Sequence, residues 1–552
     1  MRPRGETAAG RCRQVSWWRR WPQFCISDQN KDQQRWPPDR ENHGVINLVC
    51  ARMMSQGKSV LSASLINTAA GSLSLAAGFG SSVIVARLLG VEGAGIVAYA
   101  LWIMTVATLL SDFGMPQAAL RFIAGDVEAG DSRSKLFTAL TNRFVVTTGI
   151  MAAGILGYAL WLYMDNEGGS ALVWAATTAL FLSYAYSTMA TGAAHGLGQF
   201  RRAADRTTIG GIVQPIAILA GALLIGPAGA ILGHAARHLP QGLALRRYLS
   251  KAPLSASHIA PTMKTYARHN WLSSLAYILG SRVELAIIGW SFSIVAVGYY
   301  AIGITMVSLV IQLSMFLAAS LVPYFGVLHD GNDIESLTVG YQRSLRWLGL
   351  ALSPICFGGA AIAPVLIPSL FGAQFEPGVD AAEVLLVFSF AVALAAVPER
   401  MMLARERSLG VLKLSILWGG VSVALMLAIV PHFAGLGAAW VKGVIAIAAL
   451  VSLLWYCHRR LAIPCIPMDL VKIVAAGLLA GLAARLCIYW MPGLGGMVLG
   501  IAAGAVVYPA SVLLFSALSA DDKALIGAWA SANLPARIRQ RLPISDAALQ
   551  QR

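Results

Sequence analysis

ATTALFLSYAYSTMATGAA, residues 176–194, carries no charged side chain and is long enough to cross a membrane as one helix. A spanning helix needs about 20 predominantly apolar residues. The stretch lacks the strict alternation of apolar and polar residues that the strands of an outer-membrane barrel require. Comparable segments recur from Leu65 to Leu518. We therefore predict an all-α polytopic membrane protein with about 14 transmembrane helices. Their predicted starts lie near Ile66, Ile96, Phe144, Ala171, Gly210, Gly229, Trp271, Tyr299, Trp347, Glu383, Val411, Gly435, Val471 and Leu494.

The composition supports this class. Of the 552 residues, 57% are hydrophobic and only 12% are charged, and the mean hydropathy is positive. A soluble domain needs a more highly charged surface than this. The net charge of +16 is spread in small groups between the apolar segments, whereas nucleic-acid binding needs one basic patch. We expect the lipid bilayer as a partner and no nucleic acid.

The distribution of Lys and Arg predicts the orientation of the chain. Alternate connections carry the basic residues, and the other connections are nearly free of them, apart from Arg87, and carry acids instead. Cytoplasmic loops are enriched in Lys and Arg, so both termini are expected in the cytoplasm. The basic connections contain Arg133, Lys135, Arg201, Arg202, Arg206, Arg246, Arg247, Lys251, Arg343, Arg405, Arg407, Arg459 and Arg460, and the acidic ones contain Asp165, Glu167, Glu376 and Asp380.

A long polar connection near the middle divides the chain into two halves. GIVAYA at residues 95–100 and GYYAIG at residues 298–303 each open the second helix of a half, which indicates an internal repeat. The predicted organisation is an N-terminal extension (1–58), a first six-helix lobe (59–247), a cytoplasmic linker (248–270), a second six-helix lobe (271–457), a terminal helix pair (458–518) and a cytoplasmic tail with a short amphipathic helix (519–552).

The N-terminal extension allows two interpretations. It is rich in Arg and Trp and lacks the continuous apolar core of a signal peptide. One interpretation is a basic arm that lies on anionic lipid headgroups. The other is a disordered segment, or an over-long reading frame whose true start is Met53 or Met54.

Two charges interrupt one of the longest apolar stretches, ILGSRVELAIIGW at residues 278–290. Arg282 lies near the predicted middle of the seventh helix, too deep for its guanidinium to reach water at the helix end. Glu284 points to a different side of that helix, so the two charges cannot neutralise each other on one face. Each is expected to pair with a charge on a neighbouring helix or to face a hydrated cavity.

Other ionisable groups within the apolar segments make the intramembrane set cationic. His234, Arg237 and His238 lie in the sixth helix, Lys442 in the twelfth and Arg485 in the thirteenth. A cavity lined by Arg and Lys holds anions, and a guanidinium matches the oxygens of a phosphate. Arg485 lies outside the two lobes, and its position is as compatible with a structural role as with anion binding.

These groups divide into two predicted roles. Arg282, Lys442 and Arg237 are predicted to bind an anion along a substrate path. Glu284, His234 and His238 are predicted to act in ion coupling or ion pairing, with ordinary packing as the alternative for the histidines.

Sequence signatures of enzymes and metal sites do not stand out. The seven cysteines show no metal-ligand spacing, and no phosphate-binding glycine loop, HExxH or GxSxG motif is evident. We expect neither a metal nor a cofactor. A H⁺ or Na⁺ gradient is compatible with the sequence as an energy source.

Two short motifs carry a family resemblance. ARLLGVEGAGIVAYA at residues 86–100 and DFGMPQAALRFIAG at residues 112–125 resemble the polysaccharide flippase branch of the multidrug/oligosaccharidyl-lipid/polysaccharide exporter superfamily. The second half supplies Arg282 and an acid at Glu284, and the VGYYA motif (297–301) is similar to the family's junction of the seventh and eighth helices. The chain departs from the pattern at Ala94, Val97 and Glu284, where the family often has an aromatic residue, tyrosine and aspartate.

The resemblance implies both a fold and a function. The fold is two six-helix lobes in a V around a central cavity, with the terminal helix pair outside. The function is translocation of an oligosaccharide linked to undecaprenyl diphosphate across the bacterial inner membrane, for O-antigen, capsule or exopolysaccharide biosynthesis. A polysaccharide polymerase and chain-length machinery are expected partners.

Three rival functions remain open at this point. A multidrug exporter of the same superfamily would need an acidic cavity for cationic drugs, contrary to the charge balance here. A membrane enzyme that polymerises or ligates lipid-linked sugars would carry large extracytoplasmic loops with acidic catalytic residues. Transport of lipid II for peptidoglycan is a closely related alternative.

Overall fold

The computed structural model describes residues 42–125, 130–249, 261–318, 321–330, 334–405, 407–464, 466–519 and 522. Regular structure in these residues is helical, which confirms the predicted all-α class. The α-helices are α1 (Asn42–Asp112), α2 (Met115–Gly125), α3 (Gly130–Met164), α4 (Gly168–Gly196), α5 (Phe200–Gly242), α6 (Pro261–Arg282), α7 (Glu284–Ser291), α8 (Ile294–Ala318), α9 (Leu321–Asp330), α10 (Ile334–Phe371), α11 (Val379–Leu394), α12 (Ala396–Ala404), α13 (Ser408–Leu461), α14 (Pro467–Trp490) and α15 (Leu494–Leu514), with short 3₁₀ segments at Leu243–Arg247 and Ala373–Gly378.

Three of the long helices are broken into two crossings each. Within the described residues, nine helical segments are long and apolar enough to cross a membrane. Non-helical backbone interrupts α1 at Gly90, α5 at Ile225 and Gly226, and α13 at Ala434. With these breaks, and with α4 and the α6–α7 segment counted as crossings, the described chain agrees with the predicted number of spans.

The observed helix starts differ from the predicted ones mainly at the basic connections. α6 begins at Pro261, whereas the sequence predicts Trp271 as the start, and α10 begins at Ile334, whereas the sequence predicts Trp347. The reason is physical: a helix continues past the hydrocarbon core, where its charged side chains are solvated, and hydropathy marks only the apolar part.

The chain separates into two units, residues 1–61 and residues 62–552. Of the first unit, the described part is the helical backbone from Asn42. The predicted N-terminal arm up to residue 41, the linker residues 250–260 and the predicted amphipathic helix beyond Asp522 lie outside the described residues.

Within the second unit, helices pack mainly with neighbours in their own half. α4 lies against α2, α3 and α5, and α11 lies against α8, α10 and α13. The terminal helices α14 and α15 pack against each other and against α10. Small and aliphatic side chains fill these contacts, as in other membrane bundles.

Arg87, the exception to the charge pattern, connects the two halves. Its Nε donates to the carbonyl oxygen of Leu370 at 2.9 Å, and its guanidinium also donates to the carbonyl oxygen of Ser369. These carbonyls belong to the last turn of α10, where a helix leaves acceptors unsatisfied. The charge therefore caps a helix of the second half.

Candidate functional site

A cavity of about 560 Å³ lies between the two halves. Side chains of α1, α4 and α5 line it from the first half, and α8 lines it from the second. We call it the central cavity; it is lined by Gly71, Ser74, Leu75, Gly78, Phe79, Ser82, Leu101, Met104, Tyr184, Thr207, Gln214, His234, Arg237, His238, Thr305, Ser308, Leu309 and Gln312.

The break in α5 brings three polar side chains of the central cavity together. Gly226 has a φ of 60°, which glycine adopts without strain, and the chain reverses there. Gln214 from the first half of α5 consequently meets His234 and Arg237 from the second half. Arg237 Nη1 donates to Gln214 Oε1 at 3.0 Å, and Gln214 Nε2 lies 3.2 Å from His234 Nδ1.

The charge of Arg237 is held by a neutral group. Gln214 is 1% exposed and orients the guanidinium without cancelling its charge. None of the described residues that line the central cavity is an aspartate or a glutamate. The site therefore presents a positive charge, with hydrogen-bond donors to spare, to an anionic ligand.

His238 lies on the same side of the helix, one residue beyond Arg237. Its ring makes an edge contact with Tyr184 of α4, with centroids 5.0 Å apart. The predicted residues His234, Arg237 and His238 are thus gathered at the central cavity.

A single residue whose backbone is itself in the right-handed helical region lies between Arg282 and Glu284. α6 ends at Arg282 and α7 begins at Glu284, with Val283 between them. Glu284 is fully buried, and its Oε1 accepts a hydrogen bond from the ammonium of Lys442 on α13. The other carboxylate oxygen, Oε2, has no hydrogen-bond partner among the described residues.

This pairing changes the interpretation of Lys442. The sequence predicts Lys442 on the anion path, but its ammonium is bound to Glu284 and it does not line the central cavity. An interhelix ion pair is what a charge buried in hydrocarbon requires. The role of Lys442 as an anion ligand stays a prediction, and it requires the pair to open.

Arg282 has an exposed side chain and joins no ion pair among the described residues. It does not line the central cavity.

Arg485 has a partner outside the central cavity. Its Nη1 lies 2.8 Å from Glu383 Oε1 on α11 and 3.3 Å from the carbonyl oxygen of Ala361 on α10. This places Arg485 between the terminal helix pair and the second half.

Two stripes of polar residues line the site, and of their members only His234, Arg237 and His238 are predicted from the sequence. The first stripe, on α4, follows helical spacing within residues 176–195 and contains Tyr184, Ser187, Thr188, Thr191 and His195. The second stripe, on α5, contains His234, Arg237, His238 and Gln241. Spacings of three and four residues place each set on one face of its helix, and this periodicity is the signal that could have found them.

Known proteins share this fold. A model of the family described as polysaccharide biosynthesis protein matches residues 84–380, more than half of the chain. A structure described as the lipid II flippase MurJ, inward closed conformation, is similar with a TM-score of 0.67 and 14% sequence identity, covering 82% of this chain and 98% of that one.

A second similar structure is described as an inward-facing multidrug resistance MATE family transporter of the MOP superfamily. Its TM-score is 0.55 at 15% identity, covering 72% of this chain and 98% of that one. Likeness at such identities concerns the fold alone. No curated protein matches the chain in sequence.

Proposed function

The chain belongs to the polysaccharide biosynthesis protein family, and from this premise we propose that it is a flippase for lipid-linked oligosaccharides. The substrate is an oligosaccharide joined through a diphosphate to a polyprenyl lipid such as undecaprenol. The protein moves its polar head from one leaflet to the other by alternating access, while the lipid tail stays in the bilayer.

The observation that carries this proposal is the uncancelled positive charge in the central cavity. Arg237 is bound by the neutral amide of Gln214, and no described lining residue is acidic. A diphosphate is the anionic group of the lipid-linked substrate, and a guanidinium binds its oxygens with two parallel hydrogen bonds. Arg282, exposed and without an ion pair in the described chain, is a second cation for the same path.

Three further parts of the proposal rest on the sequence. The protein acts in the bacterial inner membrane with both termini in the cytoplasm. A H⁺ or Na⁺ gradient drives transport, and the product passes to a polymerase and chain-length machinery for O-antigen, capsule or exopolysaccharide synthesis. Neighbouring genes for glycosyltransferases would support this placement.

Transport in proteoliposomes tests the function. We expect wild-type protein to deliver a labelled undecaprenyl-diphosphate oligosaccharide to the opposite leaflet, scored by accessibility to an added lectin. Arg237→Ala should reduce delivery about tenfold or more, since a hydrogen bond to a charged group contributes about 1.5 to 3 kcal/mol and about 1.4 kcal/mol corresponds to tenfold. Arg237→Lys should retain part of it.

Arg485→Ala is the matched control, because this intramembrane arginine lies outside the central cavity. It should transport normally at normal abundance. Full transport by both Arg237→Ala and Arg282→Ala would remove the site assignment.

Drug export is the rival function, and the charge of the central cavity argues against it. A pump for cationic drugs needs an acidic cavity, and the described lining of the central cavity holds a cation instead. If overexpression raised drug resistance while lipid-linked substrate stayed on its original leaflet, the flippase proposal would be wrong.

A further inference from the structure

A second cavity, of about 330 Å³, lies beside the central cavity within the first half. α2, α4 and both halves of α5 enclose it. We call it the side pocket and define it by the neutral polar residues of its lining, Gln117, Ser187, Thr188, Thr191, Thr207 and Gln241. Its volume falls within the range of small-molecule sites.

The side pocket and the central cavity share part of their lining. Tyr184, Thr207, Arg237 and His238 belong to both. Arg237 therefore stands at the boundary between the two spaces. An anionic group bound to its guanidinium would therefore lie within reach of both spaces.

The side pocket offers neutral donors and acceptors in place of further charge. None of its described lining residues is acidic, and Arg237 is its one arginine there. Thr191 Oγ1 accepts a hydrogen bond from Gln241 Nε2 at 3.3 Å and donates to the carbonyl oxygen of Ser187 at 2.8 Å. Hydroxyls and amides that both donate and accept match the hydroxyl groups of a sugar.

One buried acceptor of the side pocket is left without a partner. Gln241 is 3% exposed, and its Oε1 has no hydrogen bond among the described residues. Such a group is costly to leave unpaired, and pairing is the rule for buried polar atoms. A ligand hydroxyl in the side pocket would donate to it.

The walls of the side pocket are fixed by close helix contacts. A Cβ added to Gly192 of α4 would lie 2.4 Å from the carbonyl oxygen of Pro116 on α2. The two backbones are thus in direct contact at the pocket, as small residues permit in membranes. The hydroxyls of α4 are accordingly held in place before a ligand arrives.

We propose that the side pocket binds the sugar ring attached directly to the diphosphate, while Arg237 binds the phosphate. The inference rests on the proposed flippase function and adds the recognition of the first sugar to it. Arg237 binds the phosphate that all such lipids share, and the Thr191–Gln241 pair recognises the sugar.

Two small phosphate monoesters separate the two parts of the site. Hexose 1-phosphate carries both groups and methyl phosphate carries the phosphate alone. Titrations of both probes against the purified full chain in nanodiscs, followed by ligand-observed NMR, measure the difference. Wild-type protein should bind hexose 1-phosphate about tenfold more tightly than methyl phosphate, as one or two added hydrogen bonds would give.

Variants of the Thr191–Gln241 pair test the assignment. Thr191→Val and Gln241→Met keep side-chain size and should weaken hexose 1-phosphate binding about three- to tenfold without changing methyl phosphate binding. Arg237→Ala should weaken both. Thr177→Val is the control, since this buried threonine of α4 lies outside the side pocket.

Equal affinity of the wild-type protein for the two probes, or binding of neither, overturns the assignment. So does a Thr191→Val protein that binds hexose 1-phosphate normally. The proposed flippase function fails separately, if the wild-type protein does not move the labelled lipid-linked oligosaccharide in proteoliposomes.

Discussion

Glu284 shows how a single carboxylate is accommodated among apolar helices. It is fully buried and is the first residue of α7. Lys442 supplies the opposite charge from α13, 158 positions away in sequence. Removing Lys442 alone leaves the buried carboxylate of Glu284 without compensation, whereas removing both charges does not.

Lys442→Met should therefore destabilise the protein by about 3 to 5 kcal/mol, measured by denaturant unfolding in detergent. The double variant Glu284→Gln with Lys442→Met should recover most of this loss, because neither charge remains. Arg485→Met is the control; its pair with Glu383 is half exposed, and the expected loss is about 0 to 1 kcal/mol. A Lys442→Met protein as stable as the wild type would show that Glu284 does not need this partner.

At the scale of elements, the repeated motifs form a reciprocal helix crossing. Gly95 in α1 and Gly298 in α8 are the first residues of GIVAYA and GYYAIG. A Cβ on Gly95 would lie 2.0 Å from the carbonyl oxygen of Ile294, and a Cβ on Gly298 would lie 2.2 Å from that of Val91. Each glycine thus faces the backbone four residues before the other, and the two halves touch there.

Gly95→Ala should force this crossing apart, because no side chain has room between the backbones. Val297 of α8 is fully buried. A Val297→Cys reporter should therefore be protected from a membrane-impermeant maleimide. In the Gly95→Ala background we expect it to react and lipid transport to fall. Gly149→Ala, where an added Cβ meets nothing within 4 Å, should behave as the wild type; equal protection in all three proteins would contradict the prediction.

At the scale of the whole molecule, one aspartate connects the segment that follows α15 to the second half. Asp522 is fully buried and forms an ion pair with Arg346 of α10. Trp347 Nε1 also donates a hydrogen bond to its carboxylate at 3.2 Å. Arg346 also reaches Asp469 at the start of α14, at 3.1 Å. α10, α14 and the segment after α15 are thus held by one group of charges.

The pH dependence of this connection follows from the pKa of Asp522. Burial raises the pKa, but hydrogen bonds from Ser519 and Arg346 and the charge of Arg346 outweigh burial, so the pKa lies below its usual value. The unfolded carboxyl therefore takes up its proton first as pH falls. The stabilisation is complete above the ordinary Asp pKa of about 4 and is lost below it.

Asp522→Asn should lower the thermal unfolding midpoint at neutral pH, and the gap to the wild type should close as the pH falls below about 4. Asp165→Asn, in an exposed turn, should leave the midpoint unchanged at every pH. A gap that is independent of pH would mean that the Asp522 carboxylate is not the stabilising form.

The helical class, the number of crossings and the division into two halves could be predicted from the sequence. Apolar length is a local property, since a backbone in lipid must satisfy its hydrogen bonds within its own segment. The predicted starts near Gly229 and Gly435 lie close to the breaks at Gly226 and Ala434 for that reason. The earlier starts of α6 and α10 could not be predicted, because hydropathy identifies only the part of a helix that lies within the lipid.

The candidate site could be predicted only in part. His234, Arg237 and His238 could be predicted as site residues, because ionisable groups in an apolar segment cost free energy and are therefore rare. Their gathering around Gln214 could not be predicted, because it needs the reversal at Gly226 and the packing of α4 beside α5.

The sequence by itself determined that this chain is a bundle of membrane-spanning helices in two related halves with cations inside. The tertiary structure alone decided which cations remain available: Lys442 is bound to Glu284, and Arg237 is held by a neutral amide at the central cavity. The physical reason is that the apolar pattern acts along one segment, whereas the partner of a buried charge is set by helices far apart in the chain.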